Sequence, residues 1–220
     1  FEQKGDFFVV NIPEFMLHIF ENGTYLKSTE VIVGKTITST VIFSDVIESV
    51  VFAPYWNIPA NIQRKEIEPK INRHPNYLAS KMMERMTNGS IRQRPGPGNA
   101  LGQVKLVMPN PFSVYLHDTP SRSLFNAKVR AFSHGCIRTE KAVELGMIMA
   151  MLGAGLTPQE AEAKTLAKKY ARVTMTKTFP VYITFVASNE RDRPKFATVE
   201  CGVGWANWSN RVERSLKPMR

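Results

Sequence analysis

Asn22-Gly23, set between two runs of alternating side chains, constrains the fold of this chain more than any other short stretch. Upstream, Phe15, Leu17 and Ile19 alternate with Met16, His18 and Phe20; downstream lies YLKSTEVIVG. Both central residues of a type I′ turn need positive φ, and Asn-Gly meets that need with little strain. An antiparallel hairpin is therefore expected, and with it a fold built on a sheet. VIESVVFA (46–53) supplies a further strand. His18, inside this pattern without a partner motif, reads as structural.

The pattern changes at Pro54. The following stretch, to about residue 98, is polar, punctuated by proline and helical in period. Pro59 suits a helix start, and Pro69 is expected to end that helix. Leu78, Met82 and Met86 recur at helical spacing and are expected to pack a small subdomain. His74, before a proline in a polar turn, is expected at the surface. RQRPGPGNALG (92–102) is a Gly/Pro loop that cannot continue a helix. Residues 54–98 thus read as an insertion between strands.

After it, QVKLVM and SVYLH return to β pattern. TEKAVELGMIMAML reads as an amphipathic helix with Thr139 as N-cap and Glu140 in its first turn. TPQEAEAKTLAKKYA opens with a capping box, Thr157 to Glu160, with Pro158 at the first helical position. ARVTMTKTFPVYITFVA is expected to give two strands around a short turn. The fold class is α+β and mainly β: strands within 1–53 and 99–188, a helical insertion at 54–98, and a basic tail at 189–220 with no assigned element. A chain of 220 residues can bury a core without disulfides or a structural metal.

The charge is +10, from 29 Lys and Arg against 19 Asp and Glu. That favours polyanions or carboxylate-rich partners. The basic residues are scattered, and no zinc-finger spacing, helix-turn-helix signature or aromatic RNA-binding motif accompanies them, so no specific nucleic-acid partner is expected. No apolar run approaches the roughly 18 residues of a membrane span. The opening FEQKGDFF has neither the basic region nor the apolar core of a signal peptide. Cys136 and Cys201 are the two cysteines; a bridge between them would remove any nucleophile at Cys136.

Chemistry concentrates in YLHDTPSRSLFNAKVRAFSHGCIR (115–138), which holds Cys136 and two of the four histidines. A thiol just ahead of a helix beginning near Thr139 would feel the positive end of the helix dipole and a lowered pKa. The amides of His134, Gly135 and Cys136 could hold an oxyanion. Arg138 could fork onto a substrate carboxylate. A buried, inert cysteine is the competing reading. For the base, His117 ends a strand on the side opposite Val114 and Leu116, so the 118–135 loop can return Cys136 beside it. His134 is two residues from Cys136, roughly 7 Å along an extended chain, and suits a role in the turn better than proton transfer. His117, His134, Cys136 and Asp118 lack ordinary zinc-ligand spacing, so no metal is expected.

His117 followed by Ser133-His134-Gly135-Cys136 resembles the catalytic motif of L,D-transpeptidases with the YkuD domain. YLHDTPSRSLF, RAFSHGCIR, RPGPGNALG, VIVGK (31–35) and PYWNIP (54–59) are similar to the YcbB-like proteobacterial branch, across residues 11–188. The resemblance implies a mixed β-sandwich or barrel core, with 54–98 as a trimmed substrate-capping insertion. It implies a cysteine acyl-enzyme on peptidoglycan tetrapeptide stems, with Cys136 as nucleophile and His117 as base. D-alanine would leave, and a second stem would close a 3→3 cross-link; water in its place would give carboxypeptidase activity. It further implies an oxyanion hole at 134–136, acylation by carbapenems, no cofactor and a periplasmic location. Tyr115, Arg138, Ser133 and Trp56 are the candidate substrate contacts; Asn99 and Gly102 are expected to fix a loop. Many family members carry Asn where this chain has Arg138, and the YcbB-like branch carries Arg. That branch also tolerates other residues at the position of His134, which points away from His134 as base. Asp118, beside His117 in a strand, should face the other way, so a backbone carbonyl is expected to orient the imidazole.

Overall fold

The computed structural model describes residues 4–186. Its strands are β1 (Phe7–Asn11), β2 (Met16–Glu21), β3 (Thr24–Gly34), β4 (Phe43–Phe52), β5 (Trp56–Asn57), β6 (Met83–Arg85), β7 (Ile91–Gln93), β8 (Val104–Val107), β9 (Leu116–His117), β10 (Ala131–Ser133), β11 (Ile137–Thr139) and β12 (Ala171–Thr184). Helices are α1 (Ala60–Ile62), α2 (Glu68–Arg73), α3 (Tyr77–Ser80), α4 (Ala142–Ala154) and α5 (Pro158–Leu166). Nine strands form one sheet, in the order β10-β3-β11-β9-β8-β4-β12-β1-β2. Because β2 also pairs with β3, the sheet closes on itself and β10 hangs on β3. The fold is therefore an α+β, mainly β barrel-like core with few helices. Closure removes the unpaired edges that an open sheet of this size would expose.

Asn22 and Gly23 take φ of 50° and 79°, and β2 runs antiparallel to β3 around them. The enclosed core draws on one side of each strand: Val31 and Val33, Val50 and Phe52, Val104 and Leu106, Leu116, Ile137, Val181 and Ile183. Helix α4 adds Leu145, Met149 and Ala150 to it. Gly146 lets α4 approach closely, since a Cβ there would lie 2.6 Å from Val104 and 3.3 Å from Val50.

Several expectations fail, the first two because strand pairing decides. Thr139 is not an N-cap: β3 and β9 hold Ile137–Thr139 as a strand, and α4 begins at Ala142 after Lys141. Pairing on both sides overrides the local helix signal. Residues 171–184 form a single strand rather than two, with a register shift between Thr174 and Phe179 against β4. An irregularity of this kind bends a strand without ending it. Pro69 does not end the insertion's helix. It lies in the first turn of α2, after a π-helical stretch at Gln63–Ile67 in which the Glu68 amide bonds to the Gln63 carbonyl. The α5 capping box is present in both directions.

Within 54–98, β5, β7 and β6 make a separate three-stranded sheet. Ile58, Ile67, Met83 and Ile91 form its own small core, with Leu78 packed against it. Met82 and Met86 do not share a helix with Leu78, because α3 ends at Ser80 and Met82 has φ of 54°. Fully buried Asn99 ties the insertion's two ends. Its Nδ2 donates to the Pro54 and Arg94 carbonyls, each at 3.0 Å, and its Oδ1 accepts from Leu101 N at 2.8 Å.

Candidate active site

The site lies on the outer face of β8, β9 and β11. Register fixes its composition. Leu106, Leu116 and Ile137 line up in one row and enter the core. The next row across the sheet reads Arg172, Val51, Lys105, His117 and Arg138. Side chains alternate along each strand, so this row faces away from the core. Tyr115 and Cys136 stand two residues before His117 and Arg138, just ahead of the parallel strands β9 and β11, and Ile137 N donates to the Tyr115 carbonyl. Tyr115, His117, Cys136, Arg138 and Lys105 thus share one surface.

Cys136 sits in a turn held from two directions. Gly135 has φ of 114°, a conformation glycine adopts without strain. Ser133 Oγ donates to the Cys136 carbonyl at 2.5 Å and accepts from Gly135 N at 3.1 Å. From the segment after β3, Thr38 Oγ1 donates to the Ser133 carbonyl at 3.1 Å and Thr40 Oγ1 to the Gly135 carbonyl at 2.9 Å. Gly34 permits that support, because a Cβ there would fall 2.1 Å from the Thr38 carbonyl oxygen. Ser133 is buried with its hydroxyl committed to the turn. His134 Nε2 pairs with Glu66 at 2.6 Å, which joins the Cys136 turn to the π-helical stretch at Gln63–Ile67.

His117 is buried. Its Nδ1 lies 2.5 Å from the Asp118 carbonyl oxygen, so a protonated Nδ1 donates there and Nε2 is left as the basic nitrogen. The Asp118 carboxylate is engaged elsewhere: Oδ1 takes Arg122 Nη2 at 2.7 Å and Oδ2 takes Gln103 N at 2.8 Å. Burial drives the His117 pKa down to about 3; backbone hydrogen bonds to Asp118 and Leu101 oppose this, and the charges of Arg138 and Lys105 add to it. The imidazole is neutral at pH 7.

The thiol is arranged differently from expectation. No helix N-terminus faces Cys136, since a strand follows it. Its sulfur lies 3.6 Å from the Ser113 carbonyl oxygen and faces the Tyr115 hydroxyl. Partial burial pushes its pKa up, while Tyr115, Lys105 and Arg138 pull it back. The resting pair is therefore a neutral thiol and a neutral imidazole, with the thiol bonded to groups other than His117. Tyr115, held protonated mainly by burial, also faces the Trp56 indole, so Tyr115 stands between Trp56 and Cys136 in space. His18 bonds to Glu14 at 2.9 Å and His74 is exposed; both stand outside the site.

Lys105 escapes sequence reasoning. In VKLV it reads as one solvent-facing residue of an alternating strand. Only the register of β8 against β9 places it beside His117, with Nζ 3.7 Å from the Tyr115 ring centroid. Glu66 is likewise invisible until the π-helical stretch meets the turn. Among the described residues no group of three or more His, Cys, Asp or Glu side chains could hold a metal ion. No helix in them is long and apolar enough to cross a membrane. Cys201 and the basic tail lie outside the described residues.

Two predictions arise here. Gly102 has φ of 62°, and a Cβ on it would lie 2.3 Å from Asp118 Oδ2. Gly102→Ala must displace Asp118, whose carbonyl holds His117. Urea denaturation should show a loss of about 1–3 kcal/mol, with Cys136 acylation slowed even where the protein remains folded. The second concerns pH. Between pH 6.5 and about 3 the unfolded chain binds a proton at His117 that the folded chain refuses. Stability contributed here is complete above pH 6.5 and falls as pH drops toward 3. His117→Gln should therefore gain on the wild type by on the order of 2 kcal/mol between pH 7 and pH 4.5, read from urea midpoints at both pH values.

Cys136, just ahead of β11, and buried, carbonyl-oriented His117 on β9 thus share one face of a closed sheet. Residues 5–183 match the L,D-transpeptidase catalytic domain family, YkuD, and the chain belongs to it. A putative L,D-transpeptidase of Haemophilus influenzae is 31% identical over 199 residues, covering 81% of this chain and 40% of that protein. The chain thus spans about two fifths of that relative's length. Among solved structures, an L,D-transpeptidase from Mycobacterium smegmatis matches at 13% identity and TM-score 0.43, covering 81% of this chain and 58% of that one. L,D-transpeptidase 3 from Mycobacterium tuberculosis matches at 12% and 0.42, covering 82% and 61%.

Proposed function

We propose that this domain is the catalytic part of a peptidoglycan L,D-transpeptidase of the YcbB-like branch, working through a Cys136 thioester. One observation supports this above the others: Cys136, at the turn that leads into β11, and His117, on the parallel neighbour β9, share one face, with the Ser-His-Gly-Cys turn locked around the thiol. Cys136 attacks the carbonyl of the third residue of a tetrapeptide stem. His117 Nε2 takes the thiol proton, and the Asp118 carbonyl steadies the imidazolium through Nδ1–H. The proton then passes to the departing D-alanine amine as the C–N bond breaks. The amine of a second stem attacks the thioester and closes a 3→3 cross-link, which regenerates the thiol.

Because the resting thiol bonds to Ser113 and Tyr115, proton transfer requires the sulfur to turn toward His117 as substrate enters. The Gly135 amide is already committed to Ser133, so the oxyanion falls to the amides of Cys136 and His134. Residues 54–98 cap the substrate, and Trp56 and Tyr115 contact it where the insertion meets the barrel. Arg138 binds a substrate carboxylate, and Ser133 serves by shaping the turn. The reaction uses no cofactor. The substrate places the protein in the periplasm. An LD transpeptidase solved in complex with imipenem, and an L,D-transpeptidase carrying a faropenem-derived adduct, support acylation of Cys136 by carbapenems and related β-lactams.

Incubation with disaccharide-tetrapeptide, with products resolved by mass, tests the reading. Dimers lacking one D-alanine are expected. Tripeptide alone would mean an L,D-carboxypeptidase, and unchanged substrate a wall-binding module without catalysis.

A further inference from the structure

The outer row of the sheet sets His117 between two cations. Lys105 is its register partner on β8 and Arg138 its register partner on β11. Neither enters a salt bridge among the described residues. The Lys105 ammonium rests on the Tyr115 ring at 3.7 Å, and the buried Nε of Arg138 has no hydrogen-bond partner. Arg172, further along the same row, adds like charge. The carboxylates nearby in sequence or contact are spent: Asp118 on Arg122 and Gln103, Glu66 on His134. Two partly desolvated cations held together without an anion are costly, and such an arrangement is stabilised when an anion enters.

We propose that Lys105 and Arg138 form a carboxylate cradle that selects donors ending in a free carboxylate one residue beyond the scissile bond. The proposal rests on the transpeptidase reading for its natural substrate, though not for the cradle itself. In a departing amino acid the amine and the carboxylate share one Cα. The amine must reach His117 Nε2 to take its proton. The carboxylate, held close to that amine, then falls beside His117, where Lys105 and Arg138 stand. A chain with a further residue, or with a neutral end, brings no charge to that place. Lys105 is thus a specificity-determining residue.

The test uses two thiol reagents of nearly equal size, iodoacetate and iodoacetamide, on the full chain. Alkylation of Cys136 is followed by mass on the peptide that contains it, and the same thiol in denatured protein supplies the reference ratio of rates. A charge-assisted contact of about 1.5–3 kcal/mol corresponds to roughly 10- to 100-fold. The iodoacetate-to-iodoacetamide ratio should therefore exceed the denatured reference by at least about tenfold. Lys105→Met and Arg138→Gln should each bring it down toward that reference, and Lys105→Arg should keep it. The urea midpoint reports whether each variant is folded, and the ratio of the two rates cancels the change in thiolate fraction that loss of either cation brings. A native ratio at or below the reference overturns the cradle, and full preference in folded Lys105→Met overturns the role of Lys105. With stem peptides, the wild type should favour the free acid over its C-terminal amide by about 30-fold in kcat/KM, and Lys105→Met should narrow that gap. Equal use of acid and amide overturns the proposed selectivity and leaves the transpeptidase intact. Iodoacetate preference with no reaction on any stem peptide leaves the cradle and sinks the transpeptidase reading.

Discussion

Cys136→Ala is expected to abolish covalent adduct formation and to lower turnover on stem peptides by on the order of 10⁵-fold or more. Bond formation is assigned to one sulfur; of the other side chains on the Lys105–His117–Arg138 face, the Lys105 ammonium rests on the Tyr115 ring and burial holds the Tyr115 hydroxyl protonated. The loss should not come from unfolding. Cys136 is partly exposed, its turn is held by Ser133, Thr38 and Thr40, and its sulfur makes only a weak contact to the Ser113 carbonyl. Urea midpoints of variant and wild type should agree within about 0.5 kcal/mol. Substantial turnover in folded Cys136→Ala would remove the thioester from the mechanism.

His117→Ala should slow acylation of Cys136 by about 10²- to 10⁴-fold, the usual contribution of a positioned general base. His134→Ala should cost no more than about tenfold. The two histidines differ in what holds them. His117 is buried, its Nδ1 fixed on the Asp118 carbonyl, and its neutral form favoured down to about pH 3. His134 pairs with Glu66 in a partly exposed contact worth at most about 1 kcal/mol. Its removal loosens the tie between insertion and turn but leaves the base in place. Rapid-quench measurement of carbapenem acylation separates the two variants. Equal loss in both would make His134 a partner in proton transfer.

Much of this was legible in the chain because the signals were local. Asn22-Gly23 sets a hairpin by backbone conformation alone, and Thr157 with Glu160 caps α5 within one turn. Alternation in SVYLH sets His117 on the face away from Val114 and Leu116 and turns the Asp118 carboxylate the other way, which leaves a backbone carbonyl to orient the imidazole. Where reading failed, distant strands decided. Ile137–Thr139 is a strand because β3 and β9 flank it, and so the thiol lost the helix dipole that would have lowered its pKa. The Thr174–Phe179 irregularity sits within one strand because β4 continues past it. Lys105 joins the site through register across three strands, which no window of sequence contains.

The central claim is that Cys136 is the acylated residue of a site assembled by His117 and the Ser-His-Gly-Cys turn. Incubation with imipenem followed by tryptic mapping addresses it most directly, because cleavage after Arg130 and Arg138 releases Ala131–Arg138 with Cys136 as its sole cysteine. The account predicts the added mass of the opened β-lactam on that peptide, absent from Cys136→Ala and slow to appear in His117→Ala. An unmodified Ala131–Arg138 peptide in folded wild type, or an adduct carried elsewhere in the chain, would contradict it.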